Sequence, residues 1–188
     1  MFLIIRRYNR QWALMVLLIL LLAGCAGASA APKLIPDTSV APDLAELAAQ
    51  TWAQFLETFD ARRDCFGDLK LRTVNTLDGR ARYDPQSAIL TIEVPATAAL
   101  LKGALVHEFA HHVEFQCAAH GQLRPIFVAA QNLPPDTPWF DGPSWAETPS
   151  EQYAEAAVIL VLGRRQLPTE AHVSSAAVEA LAEWARGE

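Results

Sequence analysis

The sequence predicts an α+β domain: a small antiparallel or mixed sheet packed on a central helix, with two further helices at the C-terminus. Three observations carry this expectation. Residues 69–76 and 88–94 alternate apolar and polar side chains and are rich in Val, Ile and Thr, the period of half-buried strands. Ala98, Leu101, Leu105, Phe109 and Val113 recur at three- and four-residue intervals, the stripe of a helix against a core. Residues 150–162 and 169–186 carry two more helical stripes, the first stopped by Gly163 and the second bearing Val173, Val178, Leu181 and Trp184.

The chain opens with Arg6, Arg7 and Arg10, an apolar run over residues 13–22, and then Leu22-Ala23-Gly24-Cys25. That order is the layout of a secretory leader. The ten-residue run is too short for a spanning helix, which takes about 20 residues to cross roughly 30 Å. The tetrapeptide resembles the lipobox of bacterial lipoproteins; the resemblance implies that residues 1–24 are removed, that the Cys25 thiol carries lipid, and that lipid holds the protein at an envelope membrane. Loss of the three leader arginines leaves 12 basic against 21 acidic residues, a formal charge of −9. So acidic a body argues against a nucleic-acid partner. Residues 25–42, rich in Ala, Pro, Ser and Thr, read as a flexible tether, and residues 43–188 as the folded domain.

Within that domain Leu44, Leu47, Ala48, Trp52, Phe55, Leu56 and Phe59 make residues 43–60 an amphipathic helix. Asp78-Gly79 supplies turn chemistry between the two strand segments and predicts an antiparallel pair. Residues 120–149 hold Gly121, Pro125, Pro134, Pro135, Pro138, Gly142 and Pro143 among Phe127, Trp139, Phe140 and Trp145, and read as an ordered, aromatic-rich connection. Its aromatics are candidates for a cleft wall as much as for core. Cys65 and Cys117 remain after the leader, and in an oxidising compartment an even pair points to a disulfide. Cys117-x-x-His120 is a competing metal-pair spacing.

The chemistry concentrates at His107-Glu108-Phe109-Ala110-His111. On a helix, residues four apart lie about 40° apart around the axis and roughly 6 Å along it, so both imidazoles can reach one ion. Glu108 is rotated about 100° from His107, off the ligand position but able to lean over a water there, as a general base must. His112, about 140° from His107, cannot share the ion and is expected in a hydrogen-bonded structural or cleft-edge role. A catalytic Zn²⁺ takes three protein ligands, and Glu147, Glu151, Glu155, His120 and His172 are the candidates for the third. Glu151 and Glu155 share a helix face at i,i+4, where like charges repel unless a cation sits beside them. Thr148-Pro149-Ser150-Glu151 also reads as a capping box, in which Glu151 folds onto its own helix and Glu155 becomes the ligand.

The His107-Glu108-x-x-His111 motif followed by Pro149-Ser150-Glu151-Gln152-Tyr153-Ala154-Glu155 resembles the gluzincin metallopeptidases, over roughly residues 88–162. The resemblance implies a zincin-like fold, Zn²⁺ held by His107, His111 and Glu151, and Glu155 supporting a ligating histidine from behind. The chain departs in having Glu155 where the family more often has Asp or Asn. Beside Glu151, Tyr153 is a candidate oxyanion donor. The activity expected is hydrolysis of a peptide or protein substrate by a zinc-activated water with Glu108 as base, the substrate pairing with residues 88–94 if they form the sheet edge. The rival reading is a non-catalytic surface lipoprotein with a structural or binding metal site, marked by His120 or His172 as a fourth ligand.

Overall fold

The computed structural model describes residues 31–165 and 167–188, and the leader and Cys25 lie outside the described residues. Four strands form one mixed sheet: β1 (Leu34–Pro36), β2 (Leu69–Val74), β3 (Ala81–Asp84) and β4 (Ile89–Glu93), in spatial order β1-β2-β4-β3. Five helices accompany them among the described residues: α1 (Pro42–Thr58), α2 (Ala98–Gln116), α3 (His120–Ala130), α4 (Pro149–Leu162) and α5 (Ser175–Ala185). The expected α+β class with a sheet, a central helix and two C-terminal helices is present.

The sheet departs from the expected pairing. β2 and β4 run parallel, Lys70 opposite Ile89 and Val74 opposite Glu93, rather than as a hairpin. The hairpin partner of β4 is β3, with Tyr83 opposite Leu90, and Asp78-Gly79 leads into β3 instead of closing β2 on β4. Alternation reports which face of a strand is buried and says nothing about its direction. β4 is therefore an interior strand, with Leu90, Thr91 and Ile92 all buried, and the edge belongs to β3. Thr91 is satisfied inside the sheet by the Arg72 Nε–H at 2.7 Å.

Order also starts earlier than the expected boundary at residue 43. Leu34–Pro36 pairs parallel with β2, the Lys33 N–H donates to Asp68 at 2.8 Å, and the Trp52 indole N–H donates to the Pro32 carbonyl at 3.0 Å. Pro36 is tolerated because β1 is an edge strand with a row of unpaired groups. The compact unit accordingly spans Ala31–Glu188.

One core joins sheet and helices. Trp52 and Phe55 of α1 and Phe59 at its C-terminal cap meet Phe66 and Phe109 in edge, tilted and stacked contacts of 4.6–6.2 Å, over Leu69, Leu71, Leu90 and Ile92. Each such fully buried apolar side chain contributes about 1.5–3 kcal/mol. The Leu101, Leu105, Phe109 and Val113 stripe of α2 is buried as expected, which fixes the rotation of that helix. Thr97 caps it, its hydroxyl accepting the Leu100 N–H at 3.4 Å.

Cys65 and Cys117 form a disulfide, with Cα atoms 4.9 Å apart. It ties the residue after α2 to the turn before β2, and closing a separation of 52 residues stabilises by about 4 kcal/mol in the chain-entropy account. The Cys117-x-x-His120 metal pair is thereby excluded.

Two further elements are punctuated differently from the expectation. The connection expected at residues 120–149 begins with α3, which contains Pro125, because burial of Leu123, Phe127 and Val128 outweighs the lost hydrogen bond. The last helix begins at Ser175 rather than near residue 169, capped by Ser174, whose hydroxyl accepts the Ala177 N–H at 3.0 Å. α4 ends as expected at Gly163, with φ +74°. No helix among the described residues is long and apolar enough to cross a membrane.

His120, at the start of α3, sits fully buried among Tyr153, Trp139 and Trp184 at 4.5, 5.6 and 5.8 Å. Burial holds its pKa down at about 4, against 6.5 when exposed. A depressed folded value means that the unfolded chain takes up the proton first as pH falls. The contribution of His120 to stability is thus full above pH 6.5 and declines toward pH 4, by about 1.4 kcal/mol per pH unit for one proton. Urea unfolding at pH 7 and pH 5 in the presence of a chelator should show a larger loss for wild type than for His120→Phe; equal losses would exclude His120 as the responsible group.

Candidate metal centre

α2 and α4 pack against each other and bring their polar positions together at one end of the core. His107 and His111, one turn apart on α2, direct their Nε2 atoms toward each other at 3.2 Å. Glu151, in the first turn of α4, places Oε2 3.0 Å from His107 Nε2 and 3.4 Å from His111 Nε2. These three residues form a group whose ligand atoms lie within 4.8 Å of one another, and it can hold a metal ion. His120 and His172 do not join it: His120 is in the aromatic core, and His172 is exposed. Glu147 bonds the Ser144 hydroxyl at 2.8 Å instead.

The capping-box alternative for Glu151 is not what forms. Thr148 occupies the N-cap without a side-chain cap bond, and its hydroxyl donates to the Ser144 carbonyl at 2.9 Å. This frees Glu151 to reach the histidines. Gly142 allows the preceding chain to fold beneath α4, since a Cβ there would lie 2.8 Å from the Thr148 backbone nitrogen.

Each imidazole is clamped from behind by a second carboxylate. Glu155 Oε1 lies 3.2 Å from His107 Nδ1, the supporting position expected for it. Glu114 Oε2 lies 2.9 Å from His111 Nδ1, a role that motif and spacing did not assign. A signal for it is present in the chain: Glu114 is an acid three residues beyond His111, set between Val113 and Phe115. Glu114 is buried and ionised, held there by the Ser150 hydroxyl at 2.8 Å and the Trp139 indole N–H. Glu155 is in turn ion-paired at Oε2 with Arg165 Nε at 3.0 Å and accepts the Thr169 hydroxyl at 3.4 Å.

A carboxylate accepts and does not donate, so Glu155 and Glu114 draw an N–H onto Nδ1 of each ring. That leaves both Nε2 positions, 3.2 Å apart, to face Glu151. Two protons there would point at each other, whereas a cation between the three atoms satisfies all of them. Without a cation, protons take its place. Burial opposes charge on His111, yet its bonds to Glu114 and Glu151 outweigh that and raise its pKa to about 10. His107 is raised likewise, burial being outweighed by Glu151 and Glu155. Glu151 is driven well below the usual carboxylate range, since the two histidines overcome its desolvation.

Glu108 is buried on the cleft side of α2, and burial raises its carboxyl above the ordinary value against the opposing pull of His107 and His111. Ala81 and Tyr83 of the edge strand line the smaller cavity together with Glu108. Two cavities, of about 450 and 320 Å³, meet at His107 and Glu108, and β3 or the turn before it lines both. Gly103 and Ala104 open the larger one. Trp145, exposed, stacks at 6.0 Å on His107, while Trp139 is core.

Two expected roles shift. Tyr153 is fully buried and its hydroxyl donates to the Ala110 carbonyl at 3.4 Å, so the anticipated oxyanion donor faces the core and lines neither cavity. His112 is buried, with Nδ1 3.1 Å from the Tyr83 hydroxyl, the structural alternative of the two expected. Comparison with protein-family models, with curated proteins and with solved structures finds no match for this chain.

The clamps have a measurable effect. Glu114→Gln and Glu155→Gln should each weaken binding of Zn²⁺, used as the probe, by about 10–100-fold. Glu147→Gln, beside the site but outside it, should leave binding unchanged. Competition with a chromophoric chelator at pH 7 reads all three, and full affinity in both clamp variants would refute the role given to the carboxylates.

Proposed function

We propose that the protein is a zinc-dependent peptidase of zincin-like fold, exported and held at an envelope membrane by lipid on Cys25. The observation that carries the catalytic reading is the convergence of His107 Nε2, His111 Nε2 and Glu151 Oε2 at mutual distances of 3.0, 3.2 and 3.4 Å, with Glu108 alongside. Ligands about 2.0–2.1 Å from a tetrahedral zinc stand roughly 3.3 Å apart, so the donor set fits that ion as it is. Two imidazoles and one carboxylate are also zinc's preferred chemistry, and carboxylates on both Nδ1 atoms are the usual support for such ligands.

Zn²⁺, when bound, supplies Lewis-acid chemistry, acidifying a water and polarising the carbonyl to be cleaved. Glu108 accepts the proton of the attacking water and returns it to the leaving amine. Its upward-shifted pKa makes it a stronger base than an exposed carboxylate. Among the described residues three donors converge, and a fourth position left to solvent and substrate favours a catalytic over a structural metal site. An extended peptide has β3, not β4, as the edge beside the cleft to pair with, and this favours internal cleavage.

Glu108→Gln should retain zinc and lose turnover by about 10²–10⁴-fold, whereas Glu151→Ala should lose metal as well. Metal analysis beside an unbiased peptide-library digest checks both, and undiminished cleavage by a clean Glu108→Gln preparation refutes the base. For the anchor, Cys25→Ser should move the protein from the detergent phase to the aqueous phase on phase partitioning of cells expressing it; an unchanged distribution rules out lipid at that thiol.

A further inference from the structure

We propose that the larger cavity beside His107 and Glu108 receives a carboxylate carried by the substrate, bound by the guanidinium of Arg165. This rests on the peptidase reading and adds the class of substrate to it. The cavity, about 450 Å³, has apolar walls from Leu100, Ala104, Val158 and Leu167 and reaches His107 and Glu108 at one end, so its occupant lies against the reacting bond. Arg165 lines it after α4, its side chain only 22% exposed.

The state of the guanidinium selects the ligand. Its Nε is in ion-pair contact with Glu155 Oε2 at 3.0 Å, but neither Nε nor the buried Nη2 has a partner in hydrogen-bond geometry among the described residues. Both oxygens of Glu155 are already engaged, Oε1 by His107 and Oε2 by the Thr169 hydroxyl, and neither is in hydrogen-bond geometry with Nη2. A guanidinium offers five N–H donors in a rigid fork, and buried donors demand acceptors. An apolar substrate group would leave Nη2 unsatisfied, and an amide would answer it without charge. A carboxylate on a short aliphatic stem matches both the walls and the cationic end. Arg80, exposed at the same cavity, adds a second positive charge on the approach. Two sources carry this chemistry: a Glu or Asp side chain, or the free carboxyl terminus of a peptide.

Full-length protein in detergent, loaded with zinc, would be assayed on internally quenched peptides with blocked termini that differ only in Glu, Gln or Leu beside the scissile bond, and on one peptide with a free or amidated terminus. Binding of the same peptides to Glu108→Gln, followed by the fluorescence of Trp145, reads the pocket without turnover. A preference of about tenfold or more for Glu over Gln, collapsing toward unity in Arg165→Met and partly kept in Arg165→Lys, supports the side-chain source. The same Arg165-dependent preference for free over amidated termini supports the terminal source. Each ratio is taken within one variant, so altered metal content cancels. Cleavage of all peptides with neither preference overturns the inference and leaves the peptidase standing. If no peptide is cut, the peptidase reading falls and binding decides the pocket: an Arg165-dependent preference for the carboxylate sustains it, and equal binding overturns it. Should Arg165→Met fail to fold, the wild-type preference, present or absent, still decides between the two outcomes.

Discussion

Three acceptor atoms directed at one point organise the packing around them. His107, His111 and Glu151 crowd their Nε2 and Oε2 atoms within hydrogen-bonding distance of each other, an arrangement that positive charge between them stabilises. The core exists in a form that enforces it. The apolar back of α2 is locked by Leu105, Phe109 and Val113, so the imidazoles have only the opposite side to occupy. The buried face of α4 packs against it and delivers Glu151 from a second direction.

Around that point the polar groups are ordered in layers. Glu155 and Glu114 fix the two rings from behind, and each is fixed in turn: Glu155 by Arg165 and Thr169, Glu114 by Ser150 and Trp139. A buried carboxylate is tolerable only when its acceptor positions are filled, so these outer partners are part of the site rather than ornament to it. The same chain of contacts links the centre to the larger cavity, because one guanidinium both holds Glu155 and lines that space.

The disulfide has a related place. Cys117 follows the last residue of α2, and Cys65 precedes β2, so the bond ties the helix that carries both histidines to the sheet it packs on. Tyr83 on β3 reinforces this from the other side, its hydroxyl 3.1 Å from Nδ1 of His112 on the same helix.

Local sequence was enough to read the α2 register and its paired histidines, because helical spacing is local and the apolar stripe leaves one orientation. It also determined α1, the end of α4 at Gly163, and the two cysteines that pair. Tertiary structure decided what depends on contacts between distant segments. Strand direction was invisible, since alternation encodes a face and not a sense, and so the edge passed from β4 to β3. α3 was hidden behind Pro125, whose local penalty is outweighed by burial of Leu123 and Phe127. The choice between Glu151 as cap and Glu151 as ligand was open until α4 met α2. Glu114 and Arg165 gained their roles, and Tyr153 lost its anticipated one, for the same reason: the partner of a buried polar group is set by packing, and packing brings together residues that sequence spacing keeps apart.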